Sequence, residues 1–98
     1  MRCLGLSLVA LGLLAGCAAR WPEENRAAFA RSCLANARKT RPTATEDALV
    51  AYCDCAVQRL QERYSLEEFT AIEAQSVREN KPAMELVHVV EECAGRLR

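Results

Sequence analysis

The chain has 98 residues, with 13 basic and 13 acidic side chains and a formal net charge of zero at neutral pH. This length limits it to one small domain, and the balanced charge excludes the basic field that nucleic-acid binding or attraction of anionic substrates requires. We therefore expect no nucleic-acid partner.

The first segment is organised like an export signal. Arg2 precedes an apolar run over residues 4–15 that contains no charged residue. The run is shorter than the ~20 apolar residues of a membrane-spanning helix and fits the apolar part of a secretory signal.

The run ends in the sequence LAGC at residues 14–17. This motif resembles the lipobox of bacterial lipoproteins at every position. The resemblance implies that residues 1–16 are a signal peptide and that the sulfur of Cys17 receives a diacylglyceryl group. Two or three acyl chains are sufficient for stable anchoring to a membrane. The alternative is an ordinary secretory signal, cleaved near Ala15 or Ala19, with Cys17 unmodified.

The residue after Cys17 is Ala18 and not aspartate. If the host is Gram-negative, the sorting rule of this protein class implies the outer membrane, with the domain facing the periplasm. Residues 17–21 are then the lipidated cysteine and a short tether, and residues 22–98 are the folded domain. Trp21 follows a basic residue and suits the headgroup boundary; alternatively, it folds back onto the first helix.

The remaining chain predicts helices, because glycine is nearly absent there while Ala, Glu, Arg and Leu dominate. Thr45 and Ser65 are typical N-caps, and Ser65 forms a capping box with Glu68. Pro42 interrupts the first helix, and Gly95 ends the last. The four helices are predicted at about residues 22–38, 46–64, 66–79 and 82–94.

Apolar residues at spacings of three and four give each helix one buried stripe. The predicted core consists of Phe29, Cys33, Leu34 and Ala37; Leu49, Cys53, Ala56, Val57, Leu60 and Tyr64; Leu66, Phe69, Ile72 and Val77; and Leu86, Val89, Val90 and Cys93. The fold class is thus a small all-α bundle of three to four helices.

Four cysteines remain in the predicted domain: Cys33, Cys53, Cys55 and Cys93. In an exported domain of this size they predict two disulfides. Residues i and i+2 diverge around a helix by ~200°, which excludes a bond between Cys53 and Cys55. When the first two helices are paired across the loop near Pro42, Cys33 lies slightly closer to the level of Cys53 than to that of Cys55. This favours Cys33–Cys53 with Cys55–Cys93, but Cys33–Cys55 with Cys53–Cys93 remains possible. The spacing is not that of a zinc site, and no redox C-x-x-C pair is present, so we expect neither a metal nor a cofactor.

The mature part resembles a loose group of small exported bacterial helical proteins. The shared elements are Phe29 and Cys33, the YCDC sequence at 52–55, Leu60 with YSLEEF at 64–69, and Cys93. This resemblance implies the helical fold and the structural role of the cysteines, and it implies no activity.

The sequence contains no recognisable catalytic constellation, and we predict no catalytic residue. His88 lies between two valines, and the carboxylate pairs at 67–68 and 91–92 are typical of a helix cap and of solvated faces. We therefore predict a lipid-anchored envelope protein, a structural or interaction module that is not an enzyme, attached to the membrane through Cys17 and with an unknown protein partner. The alternative is a periplasmic inhibitor or immunity protein that binds an enzyme or toxin.

Overall fold

A computed structural model describes residues 20–97, and within that range the chain is helical and has no β-strand. The predicted all-α fold is confirmed. The signal peptide and Cys17 lie outside the described residues. The helices are α1 (Glu23–Thr40), α2 (Glu46–Arg63), α3 (Leu66–Glu79) and α4 (Met84–Glu91), followed by a 3-10 turn, Ala94–Leu97.

The predicted caps set the starts of α2 and α3. The Thr45 side chain accepts a hydrogen bond from the backbone N–H of Ala48 at 3.1 Å. Ser65 accepts one from the backbone N–H of Glu68 at 3.0 Å, and the Glu68 carboxylate accepts one from the backbone N–H of Ser65 at 2.8 Å. Helix α3 ends at Asn80, whose φ of 53° reverses the chain toward α4.

Helix α4 is shorter than the predicted 82–94. It begins after Ala83, which provides no side-chain cap, and it ends at Glu91. The chain then leaves the helical path, and Cys93 is fully buried and bonded to Cys55. Gly95 therefore lies inside the 3-10 turn instead of ending the helix.

Helix α2 is the centre of the bundle and packs against α1, α4 and the 3-10 turn. The side chains of its two cysteines point to different sides of the helix, as the i, i+2 spacing requires. The disulfides are Cys33–Cys53 and Cys55–Cys93, each with its Cα atoms 5.8 Å apart. The sequence left two connectivities open, and the structure has the one that the positions of the cysteines along the helices favoured.

The core has two parts, one on each half of α2. The first contains Trp21, Leu60, Phe69 and Val89, and the second contains Ala37, Leu49 and Cys53. Trp21 is only 3% exposed, and its ring contacts that of Phe29 on α1, so the folded-back alternative is confirmed and the ring is not available to lipid. Trp21 is therefore part of the core of the folded domain.

Helix α3 packs on the core through its first turns, where Phe69 is buried. Ile72 is half-buried, and most residues after it are exposed. Val77, which the apolar stripe placed in the core, is 79% exposed, and that prediction is wrong. The second half of α3 extends beyond the core, so only part of its apolar stripe has a surface to pack against.

Candidate functional site

A groove with a volume of about 740 Å³ lies between α1 and α3. We call it the α1–α3 groove. Helix α3 contacts α1 through Phe69, whose ring packs against that of Phe29. The lining residues are Trp21, Asn25, Ala28, Phe29, Ser32, Cys33, Asn36, Ala37, Thr40, Arg41, Tyr52, Leu66, Phe69, Thr70, Glu73 and Val90.

Three aromatic rings support one end of the groove. The ring centroids of Trp21 and Phe69 are 4.7 Å apart, and those of Phe29 and Phe69 are 5.9 Å apart in an edge-to-face arrangement. The Trp21 and Phe29 centroids are 6.4 Å apart. These spacings lie in the range at which aromatic pairs stabilise each other, so this end of the groove has a rigid floor.

Trp21 is also fixed by hydrogen bonds to the end of α2. Its backbone N–H donates to the side-chain oxygen of Gln61 at 3.1 Å, and its indole Nε1–H donates to the carbonyl oxygen of Tyr64 at 3.1 Å. The side chain of Arg26 donates from Nε to the carbonyl oxygen of Trp21 at 3.2 Å. We call this arrangement the tryptophan clamp. It joins the first residues of the domain to the junction between α2 and α3.

The α1 wall of the groove is uncharged. Asn25, Ala28, Ser32, Asn36 and Thr40 follow one another at spacings of three and four and form a continuous row. The Thr40 hydroxyl donates to the carbonyl oxygen of Asn36 at 3.2 Å, so it is already engaged with the helix. The amide and hydroxyl groups of the row can donate and accept hydrogen bonds without a charge preference.

The ionisable groups in the lining are Arg41, Tyr52 and Glu73. Glu73 lies on the α3 wall, and partial burial raises the pKa of its carboxyl. Burial also raises the pKa of Tyr52; Arg41 opposes this shift, and Glu91 adds to it. Glu73 is the single carboxylate of this lining.

A second, shallower groove of about 570 Å³ lies between α3 and α4. Ala74 and Val77 form its α3 side, and Leu86 and Val87 form its α4 side. Thr70 and Glu73 line both grooves and lie on the part of α3 between them. The sequence pattern missed this surface because it assigned Val77 to the interior.

The residues singled out from the sequence do not gather into one site. His88 is exposed on α4, Glu68 belongs to the capping box, and Glu92 forms an ion pair with Arg63 at 2.9 Å. The four cysteines of the described part are all in disulfides, and Cys17 lies outside it. Over residues 20–97, no group of three or more His, Cys, Asp or Glu side chains is placed to hold a metal ion.

Two features of the candidate site had no signal in the sequence. The cluster of three aromatic rings depends on contact between Trp21 and Phe69, which is 48 positions further along the chain. The groove itself depends on the angle at which α3 leaves α2, which no local pattern specifies.

The described helices include none with the length and apolar character to cross a membrane. Comparison with known proteins gives no match to a family model, to a curated protein or to a solved structure.

Proposed function

We propose that this chain is a lipid-anchored protein of the bacterial envelope, an interaction module without catalytic activity. The observation that carries the proposal is the combination of the LAGC motif at 14–17 with a domain held by two disulfides. Disulfides persist in oxidising compartments outside the cytoplasm, which is where a signal peptide would deliver the chain. In a Gram-negative host, the anchor would hold the domain at the periplasmic face of the outer membrane.

The α1–α3 groove is the surface that we assign to the partner. Its uncharged wall and aromatic floor suit an occupant that combines apolar area with hydrogen-bonding groups. The isolated carboxylate of Glu73 supports binding over acid–base chemistry.

The anchor is tested by the intact mass of the protein extracted from membranes. We expect a mature chain that begins at Cys17, carries acyl groups, and is lighter by two hydrogen atoms per disulfide than after reduction. The control is Cys17→Ser, which removes the acceptor sulfur and should yield a product without lipid. A wild-type protein recovered without lipid contradicts the anchor, and thiols that react without reductant contradict the disulfides.

The groove is tested by capture of partners from solubilised membranes. Ala28→Glu places a charge in the α1 wall, while Ala51→Glu places the same charge on an exposed position of α2 outside the groove. We expect the first variant to lose a partner that wild type and the second variant retain. Equal retention by both variants contradicts the assignment. If the captured partner is a stoichiometric enzyme or toxin, the inhibitor or immunity alternative is favoured.

A further inference from the structure

The tryptophan clamp leaves almost no free chain between the predicted lipid and the folded domain. Only Ala18, Ala19 and Arg20 separate Cys17 from Trp21. Four residue steps reach at most about 14 Å, even when fully extended. Trp21 is thus required to stay within that distance of the lipidated sulfur.

Through the clamp, the short tether also limits how far a segment distant in sequence can lie from the lipidated cysteine. Because the indole of Trp21 donates to the carbonyl oxygen of Tyr64, the α2–α3 junction lies beside the end of the tether. We call residues 63–68 the junction pole. The loop at residues 41–45 is at the other end of α1, whose 18 residues span about 27 Å.

We propose that the tryptophan clamp holds the domain directly on the bilayer, with the junction pole facing the lipid head groups and the 41–45 loop directed away. This inference rests on the proposed lipidation of Cys17. The junction pole stays near the head groups at any tilt of the domain, because its distance from Trp21 is fixed. The 41–45 loop approaches them only when α1 lies flat.

Charge does not supply this orientation. Glu67 and Glu68 expose carboxylates at the junction pole, and the first turn of α1 adds Glu23 and Glu24. Arg26 pairs with Glu23, and the side chain of Arg63 pairs with Glu92. Arg20 adjoins Trp21 and adds a positive charge, so acidic and basic side chains are mixed at this end and it has no excess positive charge to attract it to anionic lipids. The short tether and the clamp therefore hold it in place.

The orientation is measured with fluorophores on single added cysteines. An added cysteine provides the free thiol, since the cysteines of the described part are in disulfides and Cys17 would carry lipid. Glu67→Cys reports on the junction pole and Thr43→Cys on the far loop; both positions are exposed. The lipidated proteins are inserted into phospholipid vesicles that contain lipids spin-labelled at the head group.

We expect at least threefold stronger quenching at position 67 than at position 43. Inserting about ten Gly and Ser residues between Ala19 and Arg20 adds roughly 17 Å of flexible reach and should remove most of this difference. Equal quenching at the two positions, or a difference that survives the insertion, overturns the inference. Failure of the protein to float with vesicles overturns the anchor itself and is read independently of the quenching.

Trp21 provides a second measurement without a label, because it is the only tryptophan of the chain. The clamp shields the indole with protein, so its emission and its protection from acrylamide should be the same in the vesicle-bound protein and in a soluble variant that begins at Ala18 and lacks both the apolar run and Cys17. An indole that becomes accessible to acrylamide in the soluble variant was shielded by lipid, and that result overturns the inference.

Discussion

Trp21 is the residue at which the predicted anchor and the folded domain meet. The same amphipathic side chain is used at membrane interfaces and in protein cores, because a large apolar ring carries one N–H donor. Here the donor is satisfied by the carbonyl oxygen of Tyr64, and the ring is 3% exposed. Solvating this side chain at a membrane would require the start of the domain to come apart.

The indole hydrogen bond should contribute measurably to stability. Trp21→Phe keeps an aromatic ring but leaves the partly buried carbonyl of Tyr64 without its donor, so we expect a loss of about 1–3 kcal/mol in the free energy of unfolding. Trp21→Ala also loses the ring, and we expect about 3–5 kcal/mol. Urea denaturation followed by circular dichroism measures both values. Tyr64→Phe is the control, since it keeps the carbonyl acceptor; a Trp21→Phe protein as stable as wild type would show that the bond contributes nothing.

Glu73 should make stability depend on pH in a direction opposite to that of an ion-paired carboxylate. Burial raises the pKa of Glu73 in the folded state. A raised folded pKa contributes stability that is present below the ordinary carboxyl pKa of about 4.3 and is lost as the pH rises through the folded value. We therefore expect Glu73→Gln to be slightly more stable than wild type at neutral pH, with an advantage that shrinks in acid. Thermal unfolding of both proteins at neutral and at acidic pH tests this. A stability advantage of Glu73→Gln that grows in acid contradicts it.

At the scale of the elements, α2 is joined to both ends of the domain through two cysteines one residue apart. Cys53 connects it to α1, and Cys55 connects it to the end of α4. Helix geometry requires such a pair to point to different sides, so the spacing itself makes α2 the central helix. Each bond therefore secures a different neighbour of α2.

Removing one disulfide should release one neighbour and leave the other in place. By loop entropy, Cys33–Cys53 contributes about 3.3 kcal/mol and Cys55–Cys93 about 3.9 kcal/mol. We expect the double alanine variant at 55 and 93 to accelerate amide exchange across 84–97, and the variant at 33 and 53 to accelerate it across 23–40. Hydrogen exchange read by mass spectrometry resolves these segments. Each variant is the control for the other, and the same exchange pattern in both contradicts separate roles.

Features of the helices that depend on neighbouring residues could be predicted from the sequence, and features that depend on distant contacts could not. Thr45 and Ser65 cap the helices they were predicted to cap, because a cap acts over three residues. The end of α4 and the exposure of Val77 depend on contacts made elsewhere: the bond to Cys55 stops the helix, and the angle of α3 removes Val77 from the core. Periodicity specifies which side of a helix is apolar, but it does not specify how far the neighbouring surface extends.

The whole molecule combines a disulfide-bonded domain, two grooves on either side of α3 and a predicted anchor. The disulfides compensate for the small core of a domain of this size. The α1–α3 groove begins at Trp21 and extends toward Arg41. If the clamp holds the domain as proposed, the groove opens beside the bilayer and is accessible to a partner at the same membrane.

Membrane attachment should be independent of salt. The predicted removal of residues 1–16 would take Arg2 with it, which would leave 12 basic residues against 13 acidic ones and no excess positive charge. Adsorption by a basic patch weakens as salt screens it, whereas burial of acyl chains does not. We expect equal flotation of the lipidated protein with anionic vesicles at low and high salt, and no flotation at either of a variant that begins at Ala18 and lacks both the apolar run and Cys17. Release of the wild-type protein by salt would mean that charge and not lipid holds it, because acyl chains inserted in the hydrocarbon core are insensitive to ionic strength.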